Sequence, residues 1–138
     1  MDTTFGFAGE LATTAMGIMP HNQVDEALRL ALSTDIPFWP QLPRLSFYED
    51  MYVQALEHFP GVVITEDRLR VYVDTDRFMD EIPAYLERED QPETFRLSEG
   101  FSKVYHRFLS MDLRGYKAIR VQIISPVSLT LKIVDEND

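Results

Sequence analysis

The chain has 138 residues, of which 45% are hydrophobic, and this suits one globular domain with a buried core. Its 23 acidic residues against 13 basic ones give a formal net charge of -10, which opposes binding to the phosphate backbone of nucleic acids. No apolar run reaches the roughly 18 residues of a membrane span, no secretory signal pattern is present, and without cysteine there are no disulfides, catalytic thiolates or cysteine-bound metals within these residues. We therefore expect a cytoplasmic protein with neither nucleic acid nor membrane as a partner.

The first third of the chain alternates β-compatible runs with one helical pattern. Residues 11–16 and 35–38 form short runs that suit strands. Asn22 is placed to cap a helix between them, whose apolar residues recur at helical spacing over residues 24–31. Three prolines and the single tryptophan fall within residues 36–44, so this stretch should form a rigid loop.

The middle of the chain combines a second helix with a hairpin. Ser46 and Glu49 match the Ser-x-x-Glu capping box, which predicts that Glu49 closes the start of the helix that follows. Two β-branched runs, residues 62–64 and 69–73, flank a polar turn and predict an antiparallel hairpin. We assign this hairpin and the helices after it to an insertion over about residues 61–97.

Two further helices are predicted in the second half of the chain. The first covers residues 76–89, where Pro83 should kink or split it. The second is capped by Ser98 and has the clearest amphipathic pattern in the chain, over residues 101–109.

The C-terminal segment predicts a strand followed by a helix. Residues 117–124 alternate apolar and polar side chains, as a strand does. Ser125 is placed to cap a last helix over residues 127–134, with Pro126 at its first position. At the other end, residues 5–7 predict an aromatic tail that packs on the domain or on a partner.

The order of these elements predicts an α/β fold with about three parallel strands joined by right-handed crossovers. A closed β/α barrel needs eight strands and about 250 residues. The chain is then either a small open sheet or part of a larger barrel. We favour the second interpretation, in which residues 1–138 are a single domain from the N-terminal portion of a TIM-type barrel with an inserted β-hairpin.

Three stretches carry a family pattern: TTAMGIMPH at residues 13–21, IPFWPQLPR at residues 36–44 with its continuation to residue 54, and RVQIISP at residues 120–126. Together they resemble the N-terminal part of the superfamily that includes cobalamin-independent methionine synthase and uroporphyrinogen decarboxylase. The second stretch is the most specific, because Phe-Trp-Pro-Gln-Leu-Pro-Arg before a Met-Tyr-x-Gln helix is similar to the methionine-synthase-like branch.

The resemblance implies a methyltransferase that acts on a small thiol in a full-length protein, with zinc held by residues outside this segment. Within the segment it implies no metal ligand and no cofactor, and the segment alone should be inactive. Three residues depart from the family pattern: Ile18 replaces a common serine, Arg120 a common lysine and Ser125 a common glycine. The serine hydroxyl contact is therefore missing at position 18.

In a β/α barrel the chemistry sits where strands end and helices begin. The three stretches should therefore converge on one rim and bind a small anionic, amino-acid-like substrate. The candidate substrate-binding residues are Gly17, Ile18, His21, Trp39, Gln41, Arg44, Arg120, Gln122 and Ser125. No catalytic residue is assigned.

Several candidates also have an ordinary structural role. Gly17 could close a turn without a ligand, and His21 could pair with backbone at a helix start rather than act as an acid, a donor or a metal ligand. Arg44 could bind a carboxylate or form an ion pair with the following helix. Trp39 could form one wall of a pocket or plug the core.

Arg120 and Gln122 alternate with apolar residues, which would point both at the lumen of a barrel. At the edge of a small open sheet, Arg120 would instead lie in solvent.

Two other functions stay open. One is a non-catalytic module for small-molecule binding or self-association. The other is a decarboxylase-like member of the same superfamily, which needs more cationic residues around a polycarboxylate than Arg44 and Arg120. Because half a barrel has two open sheet edges, we expect a homo-oligomer or pairing with the remainder of the barrel.

Overall fold

The computed structural model describes residues 11–131 and 133. Within these residues it contains five α-helices and one antiparallel pair of strands. In chain order the elements are α1 (Val24–Leu32), α2 (Met51–Ala55), β1 (Val62–Thr65), β2 (Arg70–Val73), α3 (Thr75–Leu86), α4 (Lys103–Leu109) and α5 (Pro126–Thr130). No helix in the described part of the chain is long and apolar enough to cross a bilayer. The aromatic tail predicted at residues 5–7 and the end of the last predicted helix at residue 134 lie outside the described residues.

The described residues form a small α/β arrangement with one open two-stranded sheet, so the prediction of part of a TIM-type barrel is wrong. Residues 11–16, 35–38 and 117–124 form no strands. Among the described residues, their neighbourhood contains two isolated parallel bridges, Ile18 with Gln41 and Phe38 with Arg120.

Proline explains why these bridges do not extend into a parallel sheet. Pro37 and Pro40 lie in the middle segment and supply no N–H to a ladder. The N–H of Trp39 donates to the Arg120 carbonyl, whereas that of Gln41 donates to the Gly17 carbonyl on the other side. In a regular strand, residues two apart form their backbone hydrogen bonds with the same neighbouring strand. Trp39 and Gln41 do not, so the backbone departs from regular strand geometry at Pro40.

The hydrophobic core lies between α1, α4 and the proline-rich segment. The predicted apolar stripe of α1 is confirmed, with Ala27, Leu28 and Ala31 buried. The core cluster consists of Met19, Ala27, Leu28, Ala31, Phe38, Leu42, Val104 and Phe108. Burial of these side chains therefore holds the proline-rich segment against two helices.

Two predicted helix caps are wrong, and of the two effects predicted for Pro83, splitting does not occur, while the kink stays a prediction. The residue before α1 is Gln23 rather than Asn22, and its side chain makes no capping hydrogen bond. Helix α4 is capped by Ser102, four residues after the predicted Ser98. Pro83 lies inside α3 without splitting it. At the C-terminus, Ser125 caps α5 as expected.

The predicted hairpin is present, and Gly61 fastens it to α3. Strands β1 and β2 pair antiparallel in the register Val62 with Val73. Gly61 adopts a φ of 71°, and its N–H donates to Glu81 of α3 at 2.8 Å. Phe59 stacks on Phe78 of α3 with ring centroids 6.0 Å apart. The hairpin and α3 are therefore linked by both backbone and aromatic contacts.

Candidate functional site

Three glutamine side chains from distant parts of the chain meet beside Trp39. Gln41 and Gln54 are buried, at 2% and 7% exposure, and Gln122 is half-buried. Gln122 Nε2 donates to Gln41 Oε1, and Gln41 Nε2 donates to Gln54 Oε1 at 2.8 Å. We call Gln41, Gln54 and Gln122 the glutamine cluster.

The hydrogen bonds of the glutamine cluster all run in one donor-to-acceptor direction, because one end meets a group that can only donate and the other end meets groups that accept. At one end the Gly17 N–H, which can only donate, bonds to Gln122 Oε1 at 3.0 Å. At the other end Gln54 Nε2 lies 3.4 Å from Glu49 Oε2, which accepts when ionised, and 3.1 Å from the Phe101 carbonyl. Each amide in between must therefore turn its NH₂ toward Glu49 and its oxygen toward Gly17.

Glycine is the one residue type that fits at position 17, at this end of the cluster. A Cβ at this position would lie 2.3 Å from the Trp39 carbonyl oxygen and 2.9 Å from Gln122 Nε2. Real Cβ atoms do not approach backbone oxygen so closely. The absent side chain thus allows the backbone of residue 17 to contact the neighbouring segment.

Glu49 connects the glutamine cluster to the start of α4. Its carboxylate is 2% exposed and accepts from Ser102 Oγ at 3.1 Å and from the Lys103 N–H at 2.9 Å. Burial raises the pKa of the Glu49 carboxyl above its ordinary value, and the bonds from Ser102 and Lys103 partly oppose this rise. The predicted capping box is wrong for this residue, because Glu49 caps α4 and not its own helix.

A small cavity lies against the glutamine cluster. It has a volume of about 180 Å³ and is lined on its polar side by the three glutamines. The remaining lining residues are Trp39, Met51, Ala55, Leu97, Ile123 and Ile124. The cavity is smaller than the ~300–1,000 Å³ of common ligand sites, so it fits a molecule of about amino-acid size.

Two buried nitrogen atoms near this region have no hydrogen-bond partner among the described residues. They are Trp39 Nε1 and His21 Nδ1. The Trp39 ring also packs on Tyr105, with centroids 5.0 Å apart, which holds the indole in place. A buried N–H without a partner costs roughly 1–3 kcal/mol, so the position of the Trp39 indole carries a cost of this order. His21 does not line the cavity.

Four of the nine residues predicted for the site lie together here. They are Gly17, Trp39, Gln41 and Gln122, while Ile18 joins them only through its backbone bridge to Gln41.

The other predicted residues lie elsewhere. Arg44 and Arg120 are both exposed, and neither side chain lines the cavity or forms an ion pair among the described residues. Ser125 is exposed and caps α5.

Sequence reasoning missed Gln54, Glu49 and Ser102. Gln54 stands in the Met-Tyr-x-Gln part of the second matched stretch, between the buried Val53 and Leu56. A polar amide at such a position was the one available signal, since buried polar groups are nearly always hydrogen-bonded.

A larger depression of about 700 Å³ covers residues 109–119. Of its charged residues, Asp112 and Arg114 pair with each other at 2.8 Å and Lys117 is exposed, and no buried polar group lines it among the described residues. The glutamine cluster therefore remains the stronger candidate site.

No group of three or more potential metal ligands occurs among residues 11–131 and 133. Comparisons of the chain with protein-family models, curated proteins and solved structures find no match. The resemblance to methionine-synthase-like proteins stays a prediction.

Proposed function

We propose that this chain is a binding module for a small, amino-acid-like molecule, held in the cavity between Trp39 and the glutamine cluster. The observation that carries the proposal is the convergence of three amides and an indole on one cavity. Gln41 and Gln122, 81 positions apart, share a hydrogen bond at its wall. The Trp39 side chain lines the same cavity, and its Nε1 is buried without a hydrogen-bond partner among the described residues.

The lining favours a ligand without net charge. Three neutral amides line the polar side of the cavity, and no lysine or arginine is among the described residues that line it. A bound anion would therefore meet no opposite charge in a chain whose formal net charge is -10. The apolar lining from Met51, Leu97 and Ile123 suits an uncharged side chain such as a thioether.

Other functions have less support from the site. The exposed positions of Arg44 and Arg120 leave a polycarboxylate substrate without cationic partners in the cavity. Methyl transfer to a thiol, with zinc held outside this segment, remains the prediction of the family resemblance. A cytoplasmic location, which suits a chain without cysteine, is part of the proposal.

Trp39 makes a direct test possible because it is the only tryptophan in the chain and lines the cavity. Its emission is recorded during titration with N-acetyl-L-methionine amide, which is neutral, with L-methionine, a zwitterion, and with succinate, a dianion. We expect a saturable change for the first two, with dissociation constants in the millimolar range or tighter, and none for succinate.

Matched variants separate binding at this site from other effects. Gln122→Leu removes a lining amide and should weaken binding at least several-fold, while Gln91→Leu makes the same change at an exposed position outside the cavity. Absence of a saturable response to every probe would contradict binding. A response to succinate alone would contradict an uncharged ligand.

A further inference from the structure

The segment around Val121 presents an open backbone edge. The N–H of Arg120 donates to the Pro37 carbonyl at 2.7 Å, and its carbonyl accepts from the Trp39 N–H at 3.0 Å. Arg120 forms a parallel bridge with Phe38, and in such a bridge the backbone groups of the flanking residues Ile119 and Val121 face away from the partner segment. Neither residue forms a backbone hydrogen bond within the described part of the chain.

The side chains of this edge are apolar, β-branched and exposed. Ile119, Val121 and Ile123 have exposures of 45%, 56% and 88%. They alternate with Arg120 and Gln122, so the three apolar side chains share one face. Residues of this kind favour strand pairing, and an open apolar edge attracts another strand.

The charge distribution favours contact between two copies through this edge. The whole chain has a formal net charge of -10, so identical copies repel each other over most of their surface. Residues 116–131 contain no aspartate or glutamate and include Lys117 and Arg120. This segment is therefore a place where two copies can approach without acidic repulsion.

We propose that two copies of the chain pair antiparallel through residues 119–123, with a two-fold axis at Val121. In this register Val121 lies opposite Val121 of the second copy, and the two exchange both backbone hydrogen bonds that are now unmade. Ile119 lies opposite Ile123, which joins six β-branched side chains on one face. Arg120 lies opposite Gln122, so no like charges face each other. Ile123 also lines the cavity, but the pairing rests on the backbone edge and holds without a ligand there.

Engineered cysteines test this register without interference, because the chain has none of its own. Residues opposite each other at the axis have Cα atoms about 5.5 Å apart, which lies within disulfide range. Val121→Cys should therefore form a covalent dimer under mild oxidation. Ile123→Cys is the control: it is more exposed, yet its two copies would be about 14 Å apart along the strands.

A mixture of two cysteine variants tests whether positions 119 and 123 of different copies face each other. Ile119→Cys and Ile123→Cys should each stay uncrosslinked alone, whereas their mixture should give the mixed disulfide because these positions face each other. Equal crosslinking of Val121→Cys and Ile123→Cys, or no crosslinking of Val121→Cys, would overturn the proposed pairing.

The mass of the unmodified chain in solution provides the second measurement. Sedimentation equilibrium should give a species of twice the 16.0 kDa chain mass, in exchange with the monomer. A strictly monomeric chain at every concentration would overturn self-pairing, including the case in which another part of the same chain covers the edge.

Discussion

Glu49 shows how a residue can leave the role that its local pattern predicts. Its spacing from Ser46 matches a capping box, but Ser46 caps without it and the carboxylate instead bonds to Ser102 and Lys103. These partners lie 53 and 54 positions away. A sequence window of four residues contains no information about that alternative.

The raised pKa of Glu49 predicts a pH-dependent contribution to stability. A carboxyl whose pKa is higher in the folded state than in the unfolded state stabilises the fold below its unfolded pKa. This contribution is lost as the pH rises through the folded pKa. The free energy of unfolding of Glu49→Gln should therefore fall furthest below that of the natural chain at pH values under 4.5, and the difference should shrink as the pH rises. Urea unfolding at a series of pH values measures the difference in free energy of unfolding.

A constant penalty is also expected for Glu49→Gln, because its NH₂ group meets donors from Gln54 or Lys103. The pH dependence of the difference, and not its size at one pH, is therefore the readout. Glu99→Gln removes a carboxylate that is exposed and serves as the control. A difference for Glu49→Gln that does not change with pH would contradict the raised pKa.

At the scale of elements, the junction between the hairpin and its neighbouring helices depends on one backbone position, Gly61. Gly61 joins α2 and its following turn to β1, and its carbonyl accepts from Asp74, the cap of α3, at 2.9 Å. A Cβ at Gly61 would lie 2.6 Å from the Asp74 oxygen and 2.7 Å from the Phe78 nitrogen. The positive φ and the close contacts both require glycine here.

Gly61→Ala should destabilise the fold by roughly 1–3 kcal/mol, because the new methyl group overlaps backbone and strains φ. Gly115→Ala is the matched control, since a Cβ there would meet no atom within 4 Å. Urea unfolding followed by circular dichroism measures both free energies. Equal stability of the two variants would show that the junction does not depend on Gly61.

For the whole molecule, the excess of acidic residues should lower the stability of the folded state. A formal net charge of -10 on a small domain raises the energy of the folded state through self-repulsion, and salt screens this repulsion. We therefore expect the unfolding temperature to rise as sodium chloride increases from low to physiological concentration, measured by differential scanning calorimetry.

A variant with fewer charges tests the cause of this salt effect. Replacing the exposed Glu87, Glu89 and Asp90 by Gln, Gln and Asn lowers the acidic excess without removing a side-chain hydrogen bond among the described residues. Its unfolding temperature should respond less to salt than that of the natural chain. The same response in both would mean that salt acts by another route.

Some local features predicted from the sequence reappear in the structure, although the predicted Asn22 and Ser98 caps do not. The apolar stripe of α1, the β1–β2 hairpin and the Ser125 cap of α5 depend on contacts a few residues apart. For the site, the sequence predicts Trp39, Gln41 and Gln122. It does not predict Gln54, and it assigns Glu49 to a helix cap instead. Gln54 and Glu49 join the cluster because the fold brings them next to each other, and spacing along the chain does not encode this proximity.

The sequence by itself determined the hairpin, the amphipathic face of α1, the rigid proline segment and the acidic surface, because propensity, periodicity and charge act locally or simply add up. Only the tertiary structure decided that the proline segment forms isolated bridges instead of a parallel sheet, and that three amides and Glu49 share one network. Hydrogen bonds between distant residues form only after core packing has brought their segments together, so they follow from the fold as a whole.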